Sequence, residues 1–307
     1  MANVLKEAMA EIAKLNEQDR TKKKPVCFPG KLEGSPLKTN SKLKQIEKNH
    51  SHAGFHYRFE HKSDCLHVDA QRFSVYIPDQ TPAATLYILP GAKGEDHSLA
   101  KEVGALMFKV ASELALALVF PDSSPRGYAM EEGMVAAPLA VQKDHTIPFY
   151  MNATKAPWSK YVNMYDYVLK ELPDIMLQEF GDWYNPSKVS IMGHSMGGGG
   201  ALVFALRNPE VYRSVSAISP PLRQSIQAFP KLAFEAFFSD PASESKKHCC
   251  YELVKAGHKP PGPILIHTGD REHIASSGGD FEDICREKDS FEARFSGMCS
   301  VLMPRAQ

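Results

Sequence analysis

Apolar side chains recur with two different periods along this chain, and segments of the two kinds alternate from about residue 50 onward. Period-two alternation and short apolar runs predict β-strands, whereas apolar positions three and four residues apart predict helices. The predicted strands cover residues 54–60, 72–77, 85–89, 116–120, 189–192, 214–219 and 264–267. The predicted helices cover residues 102–114, 164–180 and 198–206.

Strands that alternate with helices predict an α/β fold built from right-handed βαβ units. Several of these strands are apolar nearly throughout, as strands are when helices cover both faces of a parallel sheet. We therefore expect a mostly parallel sheet flanked by helices, with ligands bound at the carboxyl ends of its strands.

The first fifty residues follow a different pattern. Residues 1–20 carry apolar side chains at helical spacing, and residues 21–49 form a basic stretch that contains proline and glycine. We predict that residues 1–50 are an N-terminal extension, made of an amphipathic helix and a basic linker. Residues 51–307 are predicted to form the α/β domain.

Composition narrows the class of protein. Basic (Lys+Arg) and acidic (Asp+Glu) residues both number 36 among 307, so the formal net charge is zero. A nucleic-acid partner normally requires a basic surplus, and none is expected here. The longest apolar stretch, residues 114–120, is far too short for a bilayer, and the first residues lack a signal-peptide pattern. The six cysteines lack the spacing of a disulfide framework or a zinc site, which favours a cytoplasmic setting.

One segment carries the clearest chemical signal. Residues 189–198 join a predicted strand to a predicted helix through Gly193-His-Ser-Met-Gly197. This is the sequence form of a nucleophile elbow, in which glycines allow a tight turn and the central serine stands clear of the sheet. Ser195 is therefore the candidate nucleophile of a serine hydrolase.

Such a serine requires backbone N–H groups that stabilise a developing oxyanion. The first is the N–H of Met196, directly after the nucleophile and at the start of the helix. The second is expected in the loop after an earlier strand, where Leu89-Pro-Gly-Ala92 stands, and we assign it to the N–H of Ala92.

The remaining groups of such a site are a carboxylate and a histidine. The strand at residues 264–267 leads into a loop in which Asp270 and Glu272 are both candidate acids. In the order serine, acid, histidine, the base follows the acid, and His273 is the only histidine after Glu272. Adjacent loop residues seldom face one another, so the base stays unassigned, with His273 as its candidate. The other histidines that we considered are His97, His145, His194, His248 and His258.

Several separated motifs occur in one order along residues 59–288. They are Pro121-Asp-Ser-Ser-Pro-Arg-Gly127, Phe149-Tyr150 with Pro157-Trp158, Met164-Tyr-Asp-Tyr-Val168, Gly193-His-Ser-Met-Gly-Gly198 and Ser214-Val-Ser-Ala217. Together they resemble the S-formylglutathione hydrolase (esterase D) family of α/β-hydrolases. The resemblance implies the α/β-hydrolase fold.

The resemblance also implies a serine thioesterase that hydrolyses S-formylglutathione to formate and glutathione in formaldehyde detoxification, with side activity on small acyl esters. It implies no cofactor and no metal. It assigns Ser195 as nucleophile, Met196 and Ala92 as oxyanion donors, and Glu272 to the acid position. Three aromatic residues are then expected to wall a shallow acyl pocket: Phe149, Tyr150 and Trp158. The expected partner is the small-molecule thioester, and the protein assembly considered is a homodimer.

The chain departs from the family pattern at several positions. Glu272 stands where the family has aspartate, and Gly199 stands where it usually has histidine in Gly-Gly-His-Gly. The family's Gly-Leu-Thr-Cys loop is Gly91-Ala-Lys-Gly94 here. From about residue 289 the tail no longer resembles the family, whose last segment carries the base. We therefore expect the sheet to lack its last strand and helix.

Three functions remain open at this point. The first is a working S-formylglutathione hydrolase with a base recruited from an unexpected position. The second is a family member impaired by the absence of the C-terminal histidine. The third is a general carboxylesterase, since one fold supports many substrates.

Overall fold

The computed structural model of the protein describes residues 9–10, 36–38, 40–92, 94–127, 147, 149–226, 228–260, 262, 264–267 and 293–296. Nine strands form one sheet in the order β1-β2-β3-β5-β4-β6-β7-β8-β9. They are β1 (Lys44–His50), β2 (Gly54–Ser63), β3 (Val68–Pro78), β4 (Ala84–Leu89), β5 (Leu116–Pro121), β6 (Val189–His194), β7 (Val215–Ile218), β8 (Ile264–His267) and β9 (Ala293–Ser296).

The sheet is mixed and mostly parallel, as predicted. Strands β1, β2, β3 and β5 pair antiparallel, whereas every pair from β5 through β4, β6, β7 and β8 to β9 is parallel. The carboxyl ends of β4, β6, β7 and β8 therefore meet at one edge of the sheet. The predicted nucleophile follows β6 at this edge, and the loop with Ala92 follows β4.

Seven α-helices lie between Ser98 and Lys255 in the described part of the chain. They are α1 (Ser98–Glu113), α2 (Met164–Asp166), α3 (Leu172–Phe180), α4 (Met196–Arg207), α5 (Ala228–Phe237), α6 (Pro241–Glu244) and α7 (Cys250–Lys255). Among the described residues, none of the helices has the length and apolar content needed to cross a membrane.

Helices cover both faces of the sheet, and β4 shows why its sequence is apolar throughout. All of its side chains are buried. Leu86 and Ile88 pack in one cluster with residues of α1, whereas Tyr87 and Leu89 pack in another with residues of α3 and α4. Alternate residues of a strand face opposite sides, so a strand between two helical layers needs apolar side chains at every position.

The helix predicted over residues 164–180 is interrupted. A π-helical turn, Tyr167–Glu171, separates α2 from α3. Pro173 has no N–H to donate to the carbonyl of Leu169, four residues earlier, and a widened turn is a common way to accommodate such a loss. The helix predicted from the spacing of apolar residues was therefore correct, but that spacing does not show that Pro173 lacks a hydrogen-bond donor.

The two ends of the sheet differ from the sequence expectations. Strand β1 begins at Lys44, inside the segment assigned to the N-terminal extension; the amphipathic helix predicted for residues 1–20 lies almost wholly outside the described residues. At the other end, the expected loss of the last strand is corrected by β9, which pairs with β8 from Ala293 to Ser296. The free backbone groups of β8 accept any strand of suitable length, so divergence of the tail sequence did not remove the strand.

Candidate active site

Ser195 occupies a strained turn between β6 and α4. Its backbone has φ 53° and ψ −121°, a combination that non-glycine residues rarely adopt. The turn is held by two backbone hydrogen bonds: the Ser195 N–H donates to the Ile218 carbonyl at 2.8 Å, and the Gly199 N–H donates to the Ser195 carbonyl at 3.1 Å. This is the geometry of the predicted nucleophile elbow.

The two outer glycines of the elbow are required by close packing. A Cβ atom at Gly193 would overlap the Gly197 carbonyl, and a Cβ atom at Gly197 would overlap the carbonyl oxygens of Leu89 and Pro90. The elbow therefore fits directly against the end of β4. A larger residue at Gly193 would force β6 and α4 apart, and one at Gly197 would force β4 and α4 apart.

The loop after β4 lies beside the nucleophile. A Cβ atom at Gly91 would be 3.1 Å from the Cβ atom of Ser195 and 3.5 Å from Nδ1 of His194. Ala92 follows in an exposed turn, and Met196 is the first residue of α4. Met196 therefore lies next to Ser195 in the chain, and Ala92 lies next to Gly91, which packs beside Ser195. Their role as donors stays a prediction.

The helix after the serine has no charged side chain that offsets its dipole near the nucleophile. The first turn of α4 contains no acidic residue. The partial positive charge of the helix N-terminus therefore acts on the region around Ser195, where it favours negative charge.

The aromatic segment packs around the first turns of α4. The Tyr150 hydroxyl donates to the Pro90 carbonyl at 2.8 Å, and the ring of Tyr150 fills the space beside Gly200. The ring centroid of Phe149 lies 6.3 Å from that of Phe237. The ring of Trp158 also packs on that of Phe237, with 5.1 Å between their centroids.

A small cavity of about 30 Å³ lies along this face of α4. Its lining includes Phe149, Tyr150, Met196, Gly199, Gln224 and His248. Trp158 does not line it, so only Phe149 and Tyr150 among the three predicted wall residues reach this space. Sequence reasoning did not single out Gln224 or His248 as members of a site. Their positions beside α4 come from tertiary packing, and no local pattern marks them.

The candidate acids and base, Asp270, Glu272 and His273, lie outside the described residues. Strand β8, which precedes them in the sequence, ends with His267 at the same sheet edge as the elbow. Their assignment stays a prediction.

Several other histidines are engaged elsewhere. His97 is buried beside Asp96 and Glu95, with its Nδ1 3.4 Å and 3.5 Å from their carboxylate oxygens. His258 is exposed, and its Nδ1 lies 3.2 Å from the Leu206 carbonyl. His145 lies outside the described residues. None of these contacts involves Ser195.

The motif at residues 121–127 forms a buried ion pair at the end of β5. The Arg126 guanidinium contacts the Asp122 carboxylate at 2.8 Å and 2.9 Å, and the Ser124 N–H donates to it at 3.1 Å. Burial raises the pKa of Asp122 to about 7, although Arg126 and the Ser124 amide oppose the shift. Loss of Arg126 would leave a buried acid without its main partner.

A possible cation site follows the glycine-containing loop, because three neighbouring residues there carry metal-binding groups: Glu95, Asp96 and His97. The Asp96 carboxylate, however, already accepts two hydrogen bonds from Arg58, at 2.8 Å and 3.0 Å. Arg58 also pairs with Glu47 at 3.0 Å. Because the arginine supplies the positive charge, the cluster is explained as an ion-pair network.

Comparisons with known proteins identify the family to which the chain belongs. The sequence profile of the Esterase family matches residues 69–294. The chain is 34% identical over 253 residues to S-formylglutathione hydrolase of Rattus norvegicus, which covers 80% of this chain and 86% of the relative. It is 35% identical over 253 residues to S-formylglutathione hydrolase of Mus musculus, with the same coverage of 80% and 86%.

Solved structures give the same result. An S-formylglutathione hydrolase from Agrobacterium tumefaciens matches with a TM-score of 0.71 and 30% identity, covering 82% of this chain and 90% of that one. A fluorophosphonate-binding serine hydrolase of Staphylococcus aureus, FphF, matches with a TM-score of 0.60 and 20% identity, covering 80% and 91%. The second match supports the fold alone.

Proposed function

Because the chain belongs to the esterase family, among its S-formylglutathione hydrolases, we propose that it is a serine thioesterase that hydrolyses S-formylglutathione to formate and glutathione. The observation that carries this proposal is the conformation of Ser195. The serine sits on a strained turn at the N-terminus of α4, within contact distance of the glycine loop after β4. This arrangement suits a nucleophile whose attack on a carbonyl group forms a tetrahedral intermediate with an oxyanion.

The reaction proceeds in two steps on Ser195. In the first, the Ser195 oxygen bonds to the formyl carbon while its proton passes to a base, and the carbon–sulfur bond breaks as glutathione leaves with a proton. In the second, water attacks the formyl ester, its oxygen stays with the carbon, and formate is released as the serine regains its proton. The N–H groups of Met196 and Ala92 are assigned to the oxyanion in both steps.

The groups that activate the serine form a separate part of the proposal. Glu272 is assigned as the acid, with Asp270 as its alternative, and His273 is the candidate base. A family member without a base retains only the rate that the oxyanion donors and substrate binding provide. An impaired enzyme, the second open function, would therefore differ from a working thioesterase only in its rate of turnover.

Steady-state kinetics on S-formylglutathione, followed by release of the glutathione thiol, test the proposal. Ser195→Ala should lower kcat/KM by roughly 10³-fold or more, because the covalent route is lost. His273→Ala should lower it by roughly 10²-fold or more if His273 is the base. His258→Ala is the matched control, since this exposed histidine bonds to the Leu206 carbonyl at the opposite end of α4 from Ser195, and it should change kcat/KM less than twofold.

The outcomes separate the three open functions. Wild-type turnover equal to that of Ser195→Ala contradicts a working thioesterase and supports the impaired member. Turnover of p-nitrophenyl acetate that exceeds turnover of S-formylglutathione supports a general carboxylesterase.

The setting and assembly of the enzyme also belong to the proposal. We propose a cytoplasmic location. It is consistent with the cysteines among the described residues, which are thiols and form no disulfide: Cys65, Cys249 and Cys250. We expect formaldehyde-derived thioesters as its substrates there. A homodimer is the proposed assembly, and light scattering of the purified protein decides it.

A further inference from the structure

The first turn of α4 is built almost entirely from glycine. Met196, the residue assigned as an oxyanion donor, is followed by four consecutive glycines at positions 197–200. Glycine has the lowest helix propensity of any residue except proline, because it loses the most backbone freedom on folding. The turn that begins with Met196 is therefore the part of α4 with the least intrinsic tendency to be helical. Contacts with other elements have to hold it in place.

The loop after β7 packs directly on the backbone of this glycine turn. A Cβ atom at Gly198 would be 3.1 Å from the Ile218 carbonyl oxygen and 3.2 Å from Cβ of Pro220. A Cβ atom at Gly199 would be 2.8 Å from Nε2 of Gln224. The turn and the loop are therefore in contact without side chains of the turn between them, and the amide of Gln224 lies directly against Gly199.

The side-chain amide of Gln224 joins this turn to α7. Its Oε1 accepts a hydrogen bond of 2.9 Å from the backbone N–H of Cys250, and its Nε2 donates one of 3.3 Å to the Cys250 thiol. The thiol in turn donates to the Gly199 carbonyl oxygen, with 3.5 Å between sulfur and oxygen. The Gly199 N–H donates to the Ser195 carbonyl oxygen at 3.1 Å. A chain of hydrogen bonds therefore runs from Gln224 through Cys250 to the backbone of the nucleophile.

These hydrogen bonds lie in the interior of the protein. Gln224 is 5% exposed and Cys250 is fully buried. Buried polar groups that lose their partners are costly, so this geometry is strongly favoured over alternatives that break it. The small cavity beside α4 borders the same turn at Met196 and Gly199. Because side chains do not fill that space, close packing does not fix the turn on this side, and the hydrogen bonds have to do so.

We propose that Gln224 is a positioning residue for the reaction: through Cys250 it fixes the glycine turn of α4 and so keeps the Met196 N–H directed at the oxyanion. Without the amide of Gln224, the turn shifts and the donor moves away from the position that the oxyanion takes. Because an oxyanion donor acts in the transition state, its displacement lowers kcat and leaves KM nearly unchanged. The effect on kcat rests on the proposed thioesterase function, whereas the effect on the turn does not.

Gln224→Met tests the inference, because methionine has nearly the volume of glutamine and forms neither hydrogen bond. Removing an oxyanion donor outright costs roughly 10²-fold or more in kcat, so displacing one should lower kcat for S-formylglutathione about five- to tenfold, with KM within about twofold. Gln71→Met is the matched control. Gln71 is also fully buried, and its amide also makes two hydrogen bonds of 3.1 Å, with the Ser124 carbonyl and the Arg126 N–H. This variant should keep kcat within about twofold.

Hydrogen–deuterium exchange measures the position of the turn without catalysis. Amides in the peptide that covers residues 193–206 should exchange about tenfold faster in Gln224→Met than in wild type, and at the wild-type rate in Gln71→Met. Cys250→Ala should match Gln224→Met in both measurements. The two changes together should be no worse than either alone, because both break the same chain of hydrogen bonds. Cys250→Ser keeps a donor for the Gly199 carbonyl and should retain most of kcat.

The outcomes decide between a positioning role and a structural one. Equal losses of kcat in Gln224→Met and Gln71→Met would overturn the inference, as would a raised KM at unchanged kcat or an unchanged rate of exchange in the peptide. If Gln224→Met does not fold, Cys250→Ala decides the matter by the same criteria. If the wild-type protein does not hydrolyse S-formylglutathione, the proposed function alone is contradicted, and the exchange rates decide the inference.

Discussion

The hydroxyl of Tyr150 donates a hydrogen bond of 2.8 Å to the carbonyl oxygen of Pro90, and this bond ties the aromatic segment to the loop beside the nucleophile. Both residues are buried, and the same tyrosine ring packs against Gly200 in α4. One side chain thus contacts two of the elements that meet at Ser195. The loop that carries Ala92 is positioned in part by Tyr150.

Tyr150→Phe should therefore lower activity as well as stability. The change leaves the buried Pro90 carbonyl without this donor, at a net cost of about 1 kcal/mol in the free energy of unfolding. We expect kcat/KM for S-formylglutathione to fall about three- to tenfold, because the loop with the second oxyanion donor is less well fixed. Tyr184→Phe is the control, since its hydroxyl bonds to Tyr87 at 3.1 Å, also in the interior. Equal losses of activity in the two variants would contradict a positioning role.

Gly197→Ala should destabilise the protein and inactivate it together. The added methyl group would overlap the carbonyl oxygens of Leu89 and Pro90, which are backbone atoms that cannot turn aside. We expect a loss of about 2–3 kcal/mol in the free energy of unfolding, measured in urea, and at least a tenfold loss of kcat/KM. Gly104→Ala provides the control. There the nearest atom, at 3.1 Å, belongs to the ring of Phe108, and the change should stay within about 1 kcal/mol.

Arg126→Gln should destabilise the protein through the buried Asp122. Removing the guanidinium leaves the carboxyl group buried with one backbone donor, and breaking a buried pair from one side costs about 3–5 kcal/mol. Burial already raises the pKa of Asp122 to about 7, and loss of Arg126 should raise it further, so protonation of the variant should reduce this cost as the pH falls from 8 toward 7. Urea unfolding at pH 8 and pH 6 measures both effects. Lys170→Gln breaks the exposed pair with Asp166 at 3.0 Å and should cost less than about 1 kcal/mol.

His56 should make the protein sensitive to acid. The side chain is buried against Phe108, its Nε2 has no hydrogen-bond partner, and burial lowers its pKa from 6.5 to about 4. As the pH falls, His56 is therefore protonated in the unfolded chain at a higher pH than in the folded protein. Stability is present above pH 6.5 and is lost as the pH falls toward 4, with about 2 kcal/mol lost at pH 5.

His56→Leu tests this contribution. The difference in unfolding free energy between pH 7 and pH 5 should shrink by about 2 kcal/mol in the variant, because the titrating group is gone. The exposed His258 provides the control, and His258→Leu should keep the wild-type difference. A pH dependence that is identical in His56→Leu and wild type would contradict the assignment.

Local sterics explain why the elbow could be predicted from sequence. Gly193 and Gly197 have to be glycine because a Cβ atom at either position overlaps backbone, and this requirement is visible in five consecutive residues. The same holds for the strands buried on both faces, where burial demands uninterrupted apolar runs. Such features depend on the nearest residues, so the sequence reports them directly.

Other features depend on contacts between distant residues and were missed for that reason. Strand β1 has a polar sequence, Lys44-Gln-Ile-Glu-Lys-Asn-His50, because an edge strand needs backbone pairing and gains from exposed charges. His248 looks like one polar residue in a basic segment, and it becomes part of the cavity only when its segment packs against α4. The four-residue strand β9 is recognisable only beside β8.

The fit of Gly197 against Leu89 also has a consequence for the order of folding. The carbonyl that shapes the elbow belongs to β4, and β4 pairs with β6 in the register that sets Leu89 opposite Gly193. This pairing closes a long stretch of chain, which is slow because the entropy of closure is lost before the contacts form. Ser195 therefore reaches its strained conformation only after the centre of the sheet has assembled. An early intermediate that contains only the β1–β3 meander is expected to have no reactive serine.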